Sequence, residues 1–235
     1  ASRAAATMAL RYDAEVTVEQ EGKNLSLTSL PSGDFRIVGI RFPPGGYLKS
    51  QRLTPEELLV LLGAKEVTGL GLQECLHALN ADVCAKLGAL PNLAVLSLQQ
   101  TNLTDEWIAA VARAPSLREL QISGTEVTDA GLIALGNATT LEDLRVGPLV
   151  SGRAIARLPT ASRLRTVSLG KPSSSRDWDE DIRAVLESCP NLERLLVMGN
   201  VSPAAFASVD NAARLTFLKF GDITVSRAHF EALSK

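Results

Sequence analysis

The chain is 235 residues long, 46% apolar, 21% charged and only 4% aromatic, with a formal net charge of −2. That balance supplies a continuous aliphatic core and gives no electrostatic reason to expect nucleic acid or an anionic membrane as partner. No apolar run approaches the roughly 18–20 residues needed to cross a bilayer, so membrane insertion by this segment is not expected.

The chain opens Ala1-Ser2-Arg3 without an initiator Met, which reads as a processed or excised fragment. A removed signal or anchor would place it outside the cytoplasm. Residues 2–12 look helical, and Glu15–Glu19 alternates like a strand. The trio Phe35/Val38/Ile40 then forms a first aliphatic core, followed by Pro43-Pro44-Gly45-Gly46. Thr54-Pro55-Glu56-Glu57 is a strong helix start, with Pro in the first turn and acids after it. Val67/Leu70/Leu72 makes a second core.

Six further cores follow: Leu93/Leu96/Leu98, Leu117/Leu120/Ile122, Leu141/Leu144/Val146, Leu164/Val167/Leu169, Leu192/Leu195/Val197 and Leu215/Leu218/Phe220. Their starts are separated by 24, 24, 23, 28 and 23 residues. Each core predicts a short strand, then a turn, then an amphipathic helix. In the two most regular units the helix opens on Thr104-Asp105 and Thr128-Asp129, where a side-chain oxygen can accept a backbone N–H and Asp favours the helix N-terminus. Ile108, Val111 and Ala112, and likewise Leu132 and Leu135, have the spacing of a core-facing helix stripe. Pro91, Pro115 and Pro190 end helices. The longest interval holds a surface loop, Lys171 to Asp181, in which Trp178 either folds back on its helix or joins a contact site, with Asp179 as a helix cap. Ala228–Leu233 predicts a closing helix.

A period near 24 with this core is the signature of a leucine-rich repeat. The expected architecture is an α/β leucine-rich repeat solenoid: a right-handed β-α superhelix of about eight coils, with a parallel concave sheet and convex helices. Residues 1–34 are read as an N-terminal cap over the first coil's apolar edge. Residues 35–235 are read as the repeat array, the whole forming a single domain.

On the concave sheet, residues flanking the second and third core positions point away from the interior. A first column runs Ile37, Gly69, Val95, Glu119, Asp143, Thr166, Arg194, Phe217. A second runs Gly39, Gly71, Ser97, Gln121, Arg145, Ser168, Leu196, Lys219, and a third passes from Arg41 through Met198 to Gly221. Two zones stand out as candidate partner contacts. One is Glu119, Gln121, Asp143 and Arg145 in the middle; the other is Leu196, Met198 and Phe217 rimmed by Arg194 and Lys219. Trp178 is a further candidate. Glu119 and Asp143 lie side by side as a potential acid–base pair, but Arg145 next to them points to an ion pair instead. No catalytic triad, phosphate loop, cofactor site or metal site is expected. His77 and His229 are the only histidines, and Cys75, Cys84 and Cys189 make an odd set in which Cys75–Cys84 pairing stays open.

Leu103-Thr104-Asp105-Glu106-Trp107-Ile108, Val127-Thr128-Asp129-Ala130-Gly131-Leu132 and Ser188-Cys189-Pro190-Asn191-Leu192 resemble the cysteine-containing class of leucine-rich repeats, known from F-box substrate receptors and many bacterial proteins. Leu10–Gly22 leading into Phe35–Ile40 is similar to the entry of such domains in planctomycete-type bacteria. The resemblance covers roughly Phe35 to the end and is specific for the fold, not for a ligand; the leading expectation from the concave-face residues is a non-enzymatic scaffold or recognition domain that binds a protein or peptide. Alternatives are a GTPase-activating module using Arg41 or Arg145, a ubiquitin-ligase substrate receptor, or a structural spacer within a larger protein.

Overall fold

A computed structural model describes residues 2–27, 29–43, 52–170, 178–199, 202, 205 and 212–221. Its first element is α1 (Ser2–Arg11), whose Ala5, Ala6 and Ala9 are wholly buried, so that small side chains let the helix lie close to its neighbours. A hairpin follows, β1 (Glu15–Gln20) and β2 (Lys23–Leu27). Its two-residue turn has positive φ at both Glu21 and Gly22, the geometry whose twist matches paired antiparallel strands. The second strand of this hairpin was not expected from the sequence, because Lys23–Leu27 is mostly exposed and its alternation is weak.

Eight parallel strands come next: β3 (Arg36–Arg41), β4 (Gly69–Gly71), β5 (Val95–Ser97), β6 (Glu119–Ile122), β7 (Asp143–Val146), β8 (Thr166–Leu169), β9 (Arg194–Val197) and β10 (Phe217–Phe220). The sheet order is β10-β9-β8-β7-β6-β5-β4-β3-β1-β2, with β1 antiparallel to β3 and the rest in simple succession. Helices α2 (Pro55–Leu61), α3 (Ala81–Gly88), α4 (Asp105–Val111), α5 (Asp129–Leu132), α6 (Gly152–Ala156) and α7 (Trp178–Ser188) return the chain from one strand to the next. This is the expected leucine-rich repeat solenoid.

Between sheet and helices, each aliphatic core stacks on the next. Leu96, Leu120, Leu144, Val167 and Leu195 form one fully buried rung-by-rung column. Each such side chain stabilises the fold by about 1.5–3 kcal/mol through removal from water. Ile108, Val111, Leu132 and Leu135 close the core from the helix side. The helix layers approach so closely that a Cβ on Gly88 of α3 would lie 1.9 Å from the Ala110 carbonyl of α4. Leu215, Leu218 and Phe220 of the last described coil are half-buried.

The first coil needs a correction. Gly39 pairs with Gly69 and Arg41 with Gly71, so the core is Ile37/Ile40/Phe42, two residues later than Phe35/Val38/Ile40. Ile37 and Phe42 are fully buried, while Phe35 and Val38 are only partly so. Phe35 instead lies under the Arg3 guanidinium, 5.3 Å from its ring centre. The pairing of β1 with β3 shifts register between Thr17 and Val18, where Val38 is the extra residue.

Helix starts also differ in detail from expectation. Thr54 and Glu57 form a reciprocal cap on α2, as the Thr-Pro-Glu-Glu run predicts. Thr104, however, makes no cap bond with its own helix. The acids reach sideways instead. Asp105 accepts the Thr128 backbone N–H at 2.8 Å and its hydroxyl at 2.6 Å, and Asp129 accepts the same pair from Ser151 at 2.6 and 2.8 Å. Asp179 does likewise with Ser202. Gly131 makes room for this, since a Cβ there would stand 2.0 Å from Asp105 Oδ1. Inside the turns, buried Thr101 and Thr125 donate to the carbonyls of Leu98 and Ile122, both at 2.8 Å. Ala228–Leu233, Pro44–Gly46 and the loop Lys171–Asp177 lie outside the described residues.

Candidate functional site

A parallel sheet with helices on one side leaves its other face open to solvent, and here that face carries three columns of side chains set by strand register. Phe217, Arg194, Thr166, Asp143, Glu119, Val95 and Gly69 align as expected, and the column ends on Gly39. Lys219, Leu196, Ser168, Arg145, Gln121, Ser97 and Gly71 form the second column, which ends on Arg41. Ile37, expected on the open face, is a core residue because of the shifted register.

The middle zone is one hydrogen-bonded network. Gln99 donates to Gln121 at 2.5 Å, and Gln121 donates to Glu119 at 2.5 Å. Arg145 grips Asp143 through Nε at 3.2 Å and Nη2 at 3.4 Å, and stands 3.9 Å from Glu119. All four expected residues of this zone therefore come together, half-buried. One guanidinium between two carboxylates makes an ion-pair cluster.

At the C-terminal end of the described sheet, Phe217 sits beside Arg194 and Lys219 beside Leu196. Met198 is 41% and Phe217 38% exposed, with Leu196 half-buried between them. The Arg194 guanidinium lies 4.5 Å from the Phe217 ring centre, a cation–π stack that holds both side chains in place. Apolar atoms and two cations thus share one patch.

Trp178 does not belong to either zone. It is 2% exposed, opens α7, and packs over Gly199, where a Cβ would come within 2.0 Å of the indole Nε1. The expectation of a contact residue is corrected: an apolar ring of this size at the helix start fills the core beneath the long interval.

Sequence reading overlooked a recess of about 380 Å³ at the other end of the concave face. Its floor is Gly39, Gly69, Gly71 and Ser97, with Thr17 and Glu15 of β1 on one side, and Val95, Glu119 and Gln121 on the other. Arg41 crosses Gly71, where a Cβ would meet its Cγ at 2.9 Å, and pairs with Glu15 at 3.1 Å. The glycines at 69 and 71 were a legible signal, but the misplaced first coil and the unseen role of β1 hid the walls.

Cys75, Cys84 and Cys189 are free and buried, and burial pushes each thiol up to about 12, so they are inert packing groups. Among the described residues there is no group of three His, Cys, Asp or Glu side chains that could hold a metal ion. Nor is any described helix long and apolar enough to cross a membrane.

Comparison with known proteins agrees with this architecture. No curated protein matches the chain in sequence. Among solved structures, internalin C2 of Listeria monocytogenes is similar at a TM-score of 0.53 and 17% identity, over 80% of this chain and 75% of that one. A chain of the yeast Rad7–Elc1 complex is similar at 0.53 and 18% identity, over 78% of this chain and 51% of that one. Identities this low speak for the fold alone. None of these matches is to a planctomycete protein, so the expected kinship with planctomycete-type bacterial domains finds no support here. The family described as "FBD-associated F-box protein At5g56370, LRR repeats" matches residues 56–233. With its stacked aliphatic cores and that match over most of its length, the chain belongs to this family of leucine-rich repeats.

Proposed function

We propose that the chain is a non-enzymatic recognition module that holds a protein or peptide partner on its concave face, with residues 1–34 capping an array formed by residues 35–235. The observation that carries this reading is the patch of Leu196, Met198 and Phe217 bordered by Arg194 and Lys219. Apolar side chains gathered on adjacent strands beside two cations, one of them stacked on Phe217, have the composition of a protein contact rather than of ordinary surface. The Glu119, Gln121, Asp143 and Arg145 cluster would supply polar selectivity alongside it. A photo-crosslinking amino acid at position 198 should capture a discrete protein in an extract of the native cells, and Arg194→Glu/Lys219→Glu should abolish that product without lowering the melting temperature. Equal capture from position 133, an exposed site on the helix side, would sink the assignment.

A second reading makes the module a substrate receptor of a ubiquitin ligase. It is favoured by the F-box protein in the matched family's description. The full-length protein should then co-purify with ligase subunits, and the doubly reversed variant should keep those subunits while losing the substrate. A GTPase-activating role draws no support from the arginines it would use. Arg41 is tied to Glu15 and Arg145 to Asp143.

A further inference from the structure

We propose that the recess between β1 and β6 is a subsite for a lysine side chain of an extended partner segment; this rests on the reading of the concave face as a recognition surface. Three observations converge on it. The first is the cavity itself, about 380 Å³ and open to solvent. The second is Gly69. Gly71 has a neighbour that explains it, since a Cβ there would press on Arg41 Cγ at 2.9 Å, and a Cβ on Gly39 would already be in ordinary contact with Thr17 at 3.4 Å. At Gly69 a Cβ would meet nothing within 4 Å, and its φ is not in the left-handed region. Glycine in mid-strand weakens a sheet, so packing gives no reason for it here; an unhindered glycine is what a floor needs when something must lie directly on the backbone.

The third observation is charge. The recess is lined by two carboxylates, Glu15 and Glu119, and by one guanidinium, Arg41, which is already turned toward Glu15 and laid over Gly71. Glu119 takes its hydrogen bond from Gln121 on Oε1, and Arg145, which holds Asp143 more closely at 3.2 Å, reaches that same Oε1 at 3.9 Å. Among the described residues Glu119 Oε2 has no hydrogen-bond partner. An anionic occupant would therefore meet one engaged cation and two acids, whereas an ammonium group gains at Glu119. Val95, 40% exposed, lies between Gly69 and Glu119 in strict register. At about 4.8 Å per strand the two ends of that row are roughly 10 Å apart, a span suited to a backbone over Gly69 with a lysine stem across Val95 and its ammonium at Glu119.

The probe is the peptide acetyl-Gly-Gly-Lys-Gly-Gly-amide, titrated into the whole chain while the amide resonances of Gly39, Gly69 and Gly71 are followed by NMR. Saturable shifts of these three amides are expected, with norleucine or acetyl-lysine in place of lysine weakening binding about tenfold or more, the size expected for loss of a charged hydrogen bond. Glu119→Gln should weaken the lysine peptide to a similar degree. Gly69→Leu should abolish its binding while leaving the melting temperature equal or higher, because the added side chain enters open space. Equal shifts from lysine and norleucine peptides would overturn the charge assignment, as would tighter binding of the corresponding glutamate peptide. Unperturbed glycine amides at millimolar lysine peptide would overturn the subsite altogether. The partner contact at Arg194 and Lys219 is read independently by crosslinking from position 198, so failure of one leaves a distinct signature from failure of the other.

Discussion

Removing Asp105 tests whether neighbouring coils are joined by acids that act across the repeat boundary. Its carboxylate accepts two short bonds from Thr128, one from backbone and one from the hydroxyl. Hydrogen bonds to a charged group contribute about 1.5–3 kcal/mol each when buried, and partial exposure of this site brings the pair to about 2–3 kcal/mol in total. Were Asp105 acting only on the N-terminus of its own short helix, the loss would be about 0.3–1 kcal/mol. Asp105→Ala is therefore expected to cost about 2–3 kcal/mol in urea unfolding followed by circular dichroism, while Glu106→Ala, exposed on the same turn, costs within about 0.5 kcal/mol. A double-mutant cycle with Thr128→Val should show coupling of at least about 1 kcal/mol. Because a repeat array can unfold in parts, hydrogen exchange at the Thr128 amide supplies a local readout, and it should accelerate in Asp105→Ala. Equal losses at Asp105 and Glu106, no coupling, and an unchanged Thr128 amide would refute the interlocking role.

Trp178→Ala should cost about 3–5 kcal/mol by the same denaturation assay, and Gly199→Ala should be comparably damaging; a near-neutral Trp178→Ala would restore the residue to the surface. With their thiols held up to about 12 by burial, none of the three cysteines should react with a thiol reagent at pH 8 until denaturant is added, and fast labelling of native protein would contradict the packing. Glu57 has its carboxyl lowered, chiefly by the Tyr12 hydroxyl at 2.5 Å, then by the Thr54 backbone N–H, with a smaller pull from Arg11. A lowered folded-state value stabilises the protein at pH above the ordinary glutamate value of 4.5, and that contribution disappears as pH falls through the folded value. Tyr12→Phe should flatten this acid-side loss in melting temperature measured from pH 6 to pH 3, and an unchanged slope would count against the contact.

Much of the fold was legible because a coil's interior depends on residues close together in sequence. The cores from Leu93 to Val197 read directly as buried strands, since their apolar positions obey the strand alternation and recur at near-constant spacing. The first coil misread for a local reason: Phe35, Ile37, Val38 and Ile40 offer two overlapping aliphatic patterns, and only pairing with Gly69 and Gly71 selects between them. At the open face, Glu119, Gln121, Asp143 and Arg145 were identifiable as neighbours from column arithmetic. Whether Arg145 would serve one acid or both was not, because that depends on side-chain torsions. The recess escaped notice because one of its walls belongs to β1, which has no repeat spacing to align it.

The order of residues along the chain thus determined the coil: strand, turn and helix, the aliphatic column within, and the identity of the outward columns. Tertiary structure alone decided what passes between coils and across the ends. It sent Asp105 to Thr128 rather than to its own helix, set Trp178 over Gly199, and placed the β1 hairpin against β3 to raise one side of a hollow. The physical reason is distance along the chain. Periodicity encodes what each residue shares with its equivalents, whereas these contacts join unlike positions 17 or more residues apart and exist only once the coils have stacked.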